Sequence, residues 1–351
     1  MQDTAKNTIK RHVLRTTSDL IDAGLVPASS RDHLEAVSKH YATAIPPAFH
    51  DLISTPDDPI GKQVIPSVYE LETQPHETID PIGDEALSPV KGIVHRYEDR
   101  ALLKPLLICP LYCRFCFRRE HVGPDGGLLT EAELQSAFDW IRSHNAIREI
   151  ILTGGDPLML APRRLSHIVQ TLSAIPHIET IRIHSRVPVA SPERITPELL
   201  DALETDRSMW VVAHINHARE ITPHAQTAIR SILARAIPVL SQSVLLRGVN
   251  DTIQDLETLL RTLVKIRIKP YYLHHLDAAP GTSHFHVPIE EGKALLANLR
   301  GRVTGLAWPT YVLDIPGGKG KVPIGPDYLL PKQNHEKNRV KSPKGDISDF
   351  V

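Results

Sequence analysis

The chain has 351 residues and nearly balanced charge, with 40 Lys and Arg against 41 Asp and Glu. That length suits a large core, one barrel-sized domain and appendages, and the balance excludes binding to nucleic acid through a general basic field. No run of about 18 apolar residues is present, which excludes a transmembrane helix, and the opening MQDTAKNTIKRHV lacks the apolar stretch of a secretory signal; a cytoplasmic enzyme with reduced thiols is therefore expected.

Residues 1–90 read as a mostly helical lead-in. Thr16, Thr17, Ser18 and Asp19 offer a helix cap before LIDAGL, and Ser29 and Ser30 offer another before RDHLEAVSKHYA. The stretch 45–89 is rich in proline and acidic residues, as in TPDDP and TQPHETIDP. It reads either as a mobile linker or as an extended segment wrapped over the rest.

From residue 101 short β-rich runs alternate with helical patterns. The runs are ALLKPLLI, REIILTG, ETIRIHS, SMWVVAH, IPVLSQSVLL and KPYYLHHL; between them lie helical stretches such as LTEAELQSAFDWIRSH, PRRLSHIVQTLSAI and TIQDLETLLRTLVKI. Such alternation predicts βαβ units and a parallel sheet of six strands, with functional residues gathered at the strands' C-terminal ends. A seventh extended run, WPTYVLDIP, follows, and the tail from Pro331 is polar and expected to be poorly ordered at its end.

The only three cysteines are Cys109, Cys113 and Cys116, directly after the first strand. An odd number in a long chain argues against a disulfide framework. Three thiolates at this spacing can hold three irons of a [4Fe–4S] cluster and leave the fourth open to a small molecule. A structural zinc would need a fourth ligand such as His121.

Two glycine-rich turns carry further chemistry. Gly154, Gly155 and Asp156 follow the second strand in LTGGDPL, where glycines let a backbone approach a ligand, though a tight turn would use them equally. In IPGGKGKVP a lysine can bind a phosphate or form a Schiff base with pyridoxal phosphate (PLP), and the residues alone leave both readings open.

The cysteine spacing, with Phe115 before the last cysteine, resembles the signature of radical S-adenosylmethionine (SAM) enzymes. That resemblance implies a partial (β/α)6 barrel, SAM chelated by the open iron, and contact between SAM and the turn at Gly154, Gly155 and Asp156. Over residues 90–330 the chain further resembles the lysine 2,3-aminomutase family, through HRYEDR, CFRR, HSRVPV, HINHAREIT, QSVLLRGVND, YYLHHLDAAPGTSHF and DIPGGKGKVPI. The expected architecture is an α/β fold: an N-terminal helical and extended region (1–90), a radical SAM barrel (91–305), and a C-terminal PLP-lysine segment with a polar tail (306–351).

This second resemblance implies the chemistry. Lys321 would hold PLP, with Lys319 as the neighbouring alternative; Arg96, Tyr97 and Arg100 would receive the cofactor's phosphate and ring. Arg118 would bind the substrate carboxylate, and Asp277 and Asp314 the ε-ammonium of L-lysine. His214 and Gln242 would touch SAM. The implied reaction moves the amino group of L-lysine from Cα to Cβ. It implies an electron donor such as flavodoxin or ferredoxin, and a homo-oligomer. The extra cysteines that relatives use for a structural zinc in a longer C-terminal region have no counterpart here. Two alternatives stand beside this reading: a sister enzyme making (R)-β-lysine for elongation factor P, and a non-catalytic iron–sulfur electron carrier.

Overall fold

The computed structural model describes residues 12–330 and 338–350; the opening segment discussed above and residues 331–337 of the tail lie outside them. Its main sheet has nine strands in chain order: β1 (Ile93–Tyr97), β2 (Arg100–Leu106), β3 (Glu149–Gly154), β4 (Thr180–Ser185), β5 (Ser208–His214), β6 (Val239–Val244), β7 (Lys269–His274), β8 (Thr310–Asp314) and β9 (Lys321–Pro323). The six expected strands are β2–β7, all parallel. The seventh run extends them as β8, also parallel, so the parallel sheet has seven strands rather than six. Antiparallel β1 and β9 edge it. These edges do not pair with each other, so the curled sheet is a partial barrel with a seam.

The crossover helices repeat one burial pattern. Glu131–Arg142 buries Leu134, Ala137, Phe138 and Ile141; Pro162–Ser173 buries Leu165, Ile168, Val169 and Leu172; Ile253–Lys265 buries Leu256, Leu259, Leu260 and Leu263. Each set falls at i, i+3, i+4 and i+7, a stripe that faces the sheet. Thr130 and Thr252 cap the first and last of these helices. On β4 the two-residue period sends Ile181 and Ile183 to this packed layer and Arg182 and His184 to the barrel interior.

The lead-in is helical and wrapped rather than a free linker. Thr16 and Asp19 form a reciprocal capping box on helix Thr17–Asp22. Ser30 precedes helix Arg31–Ser38 but its side chain makes no cap, because a short 3-10 turn, Ala28–Ser30, leads into the helix instead. Residues 45–89 form a strap across the barrel mouth: the Thr78 N–H donates to Ala278 O, and the Glu77 carboxylate accepts the backbone N–H groups of Gly281 and Ser283.

The tail departs from expectation. Leu329–Leu330 (β10), Asn338–Lys341 (β11) and Ile347–Phe350 (β12) form an antiparallel sheet. A backbone ladder can form without apolar side chains, so composition alone did not reveal it. Among the described residues no helix is long and apolar enough to cross a membrane.

Candidate active site

Most of the expected site residues meet at the C-terminal ends of the parallel strands, in two connected chambers, while Arg100 opens β2 and Arg96, Tyr97 and Lys321 lie on the antiparallel edge strands. The smaller, about 170 Å³, is lined by Cys109, Cys113 and Cys116 together with Gly154, Gly155, Asp156, His214 and Gln242. The larger, about 580 Å³, is lined by Arg96, Tyr97, Arg100, Arg182 and Lys321, among others. Phe117, Arg118, Thr153, His184, Gln242 and Asp277 belong to the walls of both.

The cysteine loop is fixed from outside the barrel. Glu70, fully buried in the strap, pairs with Arg114 at 2.5 Å and with Arg119. Burial by itself would raise the Glu70 carboxyl, yet Arg114 and Arg119 hold it below its ordinary value. Arg114 also donates to Ala42 O, and its backbone N–H to Gln63 O. Inside the chamber, Arg186 Nη1 donates to Cys113 Sγ at 2.7 Å, while its Nη2 donates to Gln63 and Glu220.

Three soft thiol donors on one loop, facing one chamber, fit a [4Fe–4S] cluster. Among the described residues no three His, Cys, Asp or Glu side chains converge as a site for a single metal ion. His121, the candidate fourth zinc ligand, does not line the chamber and instead lies 3.4 Å from Glu85.

The turn after β3 lines the smaller chamber and is also packed against the chain that leaves β2. A Cβ on Gly154 would lie 2.6 Å from Leu106 O, and one on Gly155 would lie 2.4 Å from Ile108 O. Packing against the chain that leaves β2 therefore demands both glycines. Asp156 is spent inside the protein: its carboxylate accepts from Ser185 Oγ and from the backbone N–H groups of Leu158, Arg186 and Val187. It braces the end of β4, so the backbone of the turn, more than this carboxylate, is what the chamber offers a ligand. His214 sits against Phe115 and contacts Asn216 at 3.2 Å.

In the larger chamber Lys321 on β9 stands directly across the ladder from Asp314 on β8, and the two form an ion pair. His274 Nδ1 lies 3.2 Å from Lys321 Nζ and 3.6 Å from Asp314. Burial and the Lys321 charge push the His274 imidazole down. Burial would raise Asp314, but His274 and Lys321 hold it well below the usual carboxylate range. Arg96 reaches Asp314 at 3.4 Å, and the Lys321 backbone N–H donates to Tyr97 Oη at 2.7 Å; these contacts cross the seam. Arg100 stacks on the Tyr97 ring and pairs with Asp99. Lys319 is exposed and lines neither chamber.

The chamber has room and need for a polar guest. His184 Nε2, His274 Nε2 and Arg96 Nε are buried without a hydrogen-bond partner. An amine, four arginines and orphaned polar atoms around 580 Å³ fit PLP with an amino acid.

Arg118 and the aspartates complete the site. Arg118 donates through Nε and Nη2 to Asp84 of the strap, at 2.9 and 2.7 Å. The Asp277 carboxylate makes no hydrogen bond or ion pair among the described residues, and burial with Asp314 nearby pushes it up to about 7. Sequence reasoning missed Glu70, Asp84, Arg186, His184 and His274. The motifs HSRVPV and YYLHHL contain the last three, but nothing in the residue order says which side chains face inward. Glu70 and Asp84 read only as part of an acidic stretch.

The Radical SAM superfamily model matches residues 103–263, and the Lysine-2,3-aminomutase model matches residues 296–350. The chain is 38% identical over 315 residues to L-lysine 2,3-aminomutase of Clostridium subterminale, covering 90% of this chain and 74% of that one. It is 39% identical over 309 residues to the L-lysine 2,3-aminomutase of Acetoanaerobium sticklandii, covering 88% and 74%. Against glutamate 2,3-aminomutase of Clostridioides difficile the identity is 35% over 304 residues, covering 86% and 72%.

Proposed function

The chain belongs to the lysine 2,3-aminomutase family of radical SAM isomerases, and on that premise we propose that it moves the amino group of L-lysine from Cα to Cβ. When bound, the cluster with SAM supplies the radical and PLP carries the migrating nitrogen. The residues proposed to hold them are Cys109, Cys113 and Cys116 for the cluster, and Lys321 with Arg96, Tyr97 and Arg100 for PLP. His214, Gln242 and the turn at Gly154 and Gly155 are proposed to meet SAM.

The chain's own work is binding and placement. Arg118 offers a guanidinium to the substrate carboxylate. Asp314 neutralises Lys321 in this structure, and its carboxylate would also face the substrate's ε-ammonium. His274 Nδ1, 3.2 Å from Lys321 Nζ, is within reach of the proton that Lys321 must shed.

The observation that carries the choice of lysine is Asp277, a chamber-lining carboxylate without a partner beside a second carboxylate, Asp314. Two acids at one end of a chamber attract an ammonium and repel a side-chain carboxylate, which disfavours glutamate. The named relatives favour free lysine over the elongation factor P reading. A PLP-binding lysine has no use in a simple electron carrier. The reaction needs a one-electron reductant, so flavodoxin or ferredoxin is the proposed partner; a cytoplasmic homo-oligomer is proposed from the family.

The test is anaerobic incubation with SAM, PLP, dithionite and an amino-acid panel, followed by chiral product analysis. β-Lysine as the main product is expected; β-glutamate without β-lysine would overturn the assignment.

A further inference from the structure

The strap places one carboxylate in the site that neither the motifs nor the reaction account for. Asp84 is buried, and both of its oxygens are engaged. Oδ2 accepts from Arg118 Nε and Nη2, and Oδ1 accepts from Arg96 Nη2 at 3.2 Å. Lys104 Nζ lies 3.9 Å away. Arg96 in turn reaches Asp314, which pairs with Lys321. Charges thus alternate from Arg118 through Asp84, Arg96 and Asp314 to Lys321.

The strap holds Asp84 rigidly. Its N–H donates to Asp80 Oδ1 at 2.8 Å, and its carbonyl accepts from Ser88 Oγ. The preceding Gly83 has φ +70°, and a Cβ there would lie 2.6 Å from Gly318 N in the lysine loop. The position of this carboxylate is therefore set by two separate parts of the fold.

A guanidinium has two usable edges. Asp84 takes the Nε–Nη2 edge of Arg118, while Nη1 has no partner among the described residues and Arg118 lines both chambers. Around Asp84 one negative charge meets Arg118, Arg96 and Lys104. Arg96 is shared with Asp314, and Asp80 and Glu85 also act on Lys104, so what is left for one more anion is the Nη1 edge of Arg118.

We propose that Asp84 is a positioning residue for the substrate carboxylate: it fixes one edge of Arg118, so that the other edge receives the α-carboxylate of the amino acid. The inference rests on the function proposed above. Asp84 touches no substrate itself, and its effect is confined to ligands that carry a carboxylate.

The test compares two ligands on cluster-reconstituted, PLP-loaded protein by anaerobic calorimetry: L-lysine, and 1,5-diaminopentane, which is lysine without its carboxylate. Asp84→Asn should weaken L-lysine about tenfold to a hundredfold, the range for a lost charge-assisted hydrogen-bond network. Binding of 1,5-diaminopentane should change less than threefold, with iron and PLP contents unchanged. Asp84→Glu keeps the charge but moves it by one methylene, and should recover part of the lysine affinity; it carries the same comparison if Asp84→Asn does not fold. Equal losses for both ligands in either variant would make the role merely structural and overturn the proposal. Tighter lysine binding in Asp84→Asn would overturn it too, since Asp84 would then compete with the substrate. Wild-type protein that fails to bind lysine would sink the functional assignment instead, and that arm is read separately.

Discussion

Replacing Asp314 with Asn probes the ammonium end of the chamber. Asp314 is 8% exposed and is contacted by Lys321, Arg96 and His274. Removing one partner of a buried charge typically costs about 3–5 kcal/mol. Part of that loss is returned by Asp277. Its carboxyl is raised to about 7 first by burial and then by Asp314, while Lys321, Arg118 and Arg96 pull it down. With Asp314 neutral, only burial still raises Asp277, so it ionises at lower pH and takes over the ammonium. A net cost of about 2 kcal/mol remains, or about 30-fold in Kd at pH 8. The pH dependence has a definite sign. In the wild type Asp277 is neutral below about pH 7 and cannot counter an ammonium, so lysine affinity should rise as pH rises through 7. At pH 6 the wild type has Asp314 alone and the variant has Asp277 alone, so the 30-fold gap should shrink toward parity. Calorimetric titration of the loaded protein with L-lysine from pH 6 to 8.5 reads both quantities. A wild-type affinity in the variant, or a ratio that does not move with pH, refutes the reasoning.

Two further outcomes follow from the same geometry. Lys321→Ala should abolish covalent PLP trapping by borohydride while leaving iron content unchanged; trapping that survives, and is removed by Lys319→Ala, would put the Schiff base two residues away. Glu70→Gln leaves the buried Arg114 and Arg119 without their carboxylate, at a cost of about 3–5 kcal/mol; a lower thermal midpoint and less iron per chain after reconstitution are expected, and unchanged values for both would show that the strap does not fix the cysteine loop.

The barrel was legible because its signals are local. The i, i+3, i+4, i+7 stripes of the crossover helices and the short β-rich runs repeat often enough to fix the order β2–β7. Cysteine spacing likewise points to a cluster within a few residues, whereas the glycine-rich lysine loop by itself leaves phosphate binding and a Schiff base both open. The acidic strap was not legible in the same way. Asp84 meets Arg118 across 34 residues and Glu70 meets Arg114 across 44, and neither separation leaves a mark in the local sequence. Asp156 shows the same limit: it lines the smaller chamber, and three of its four hydrogen bonds run to residues 29–31 positions later, on β4 and just beyond it, with no mark in the glycine turn. The tail strands β11 and β12 stayed hidden because a ladder of backbone bonds needs no periodic side-chain pattern.

The seam between β1 and β9 has a consequence of its own. Every neighbouring pair from β1 to β9 is tied by backbone bonds, but the ring is closed by side chains, through Arg96 to Asp314 and Tyr97 to Lys321. Few hydrogen bonds cross this seam, and the Arg96–Asp314 pair among them is buried, so side chains alone set how firmly these edges stay together. Anything held jointly by Lys321 and by Arg96 or Tyr97 then acts as a rivet. By mass action it favours the shut ring over the parted one, in proportion to the logarithm of its concentration over its dissociation constant. Occupancy of the site and closure of the barrel thus become one thermodynamic variable, and the enzyme completes its own wall by taking up what it works with.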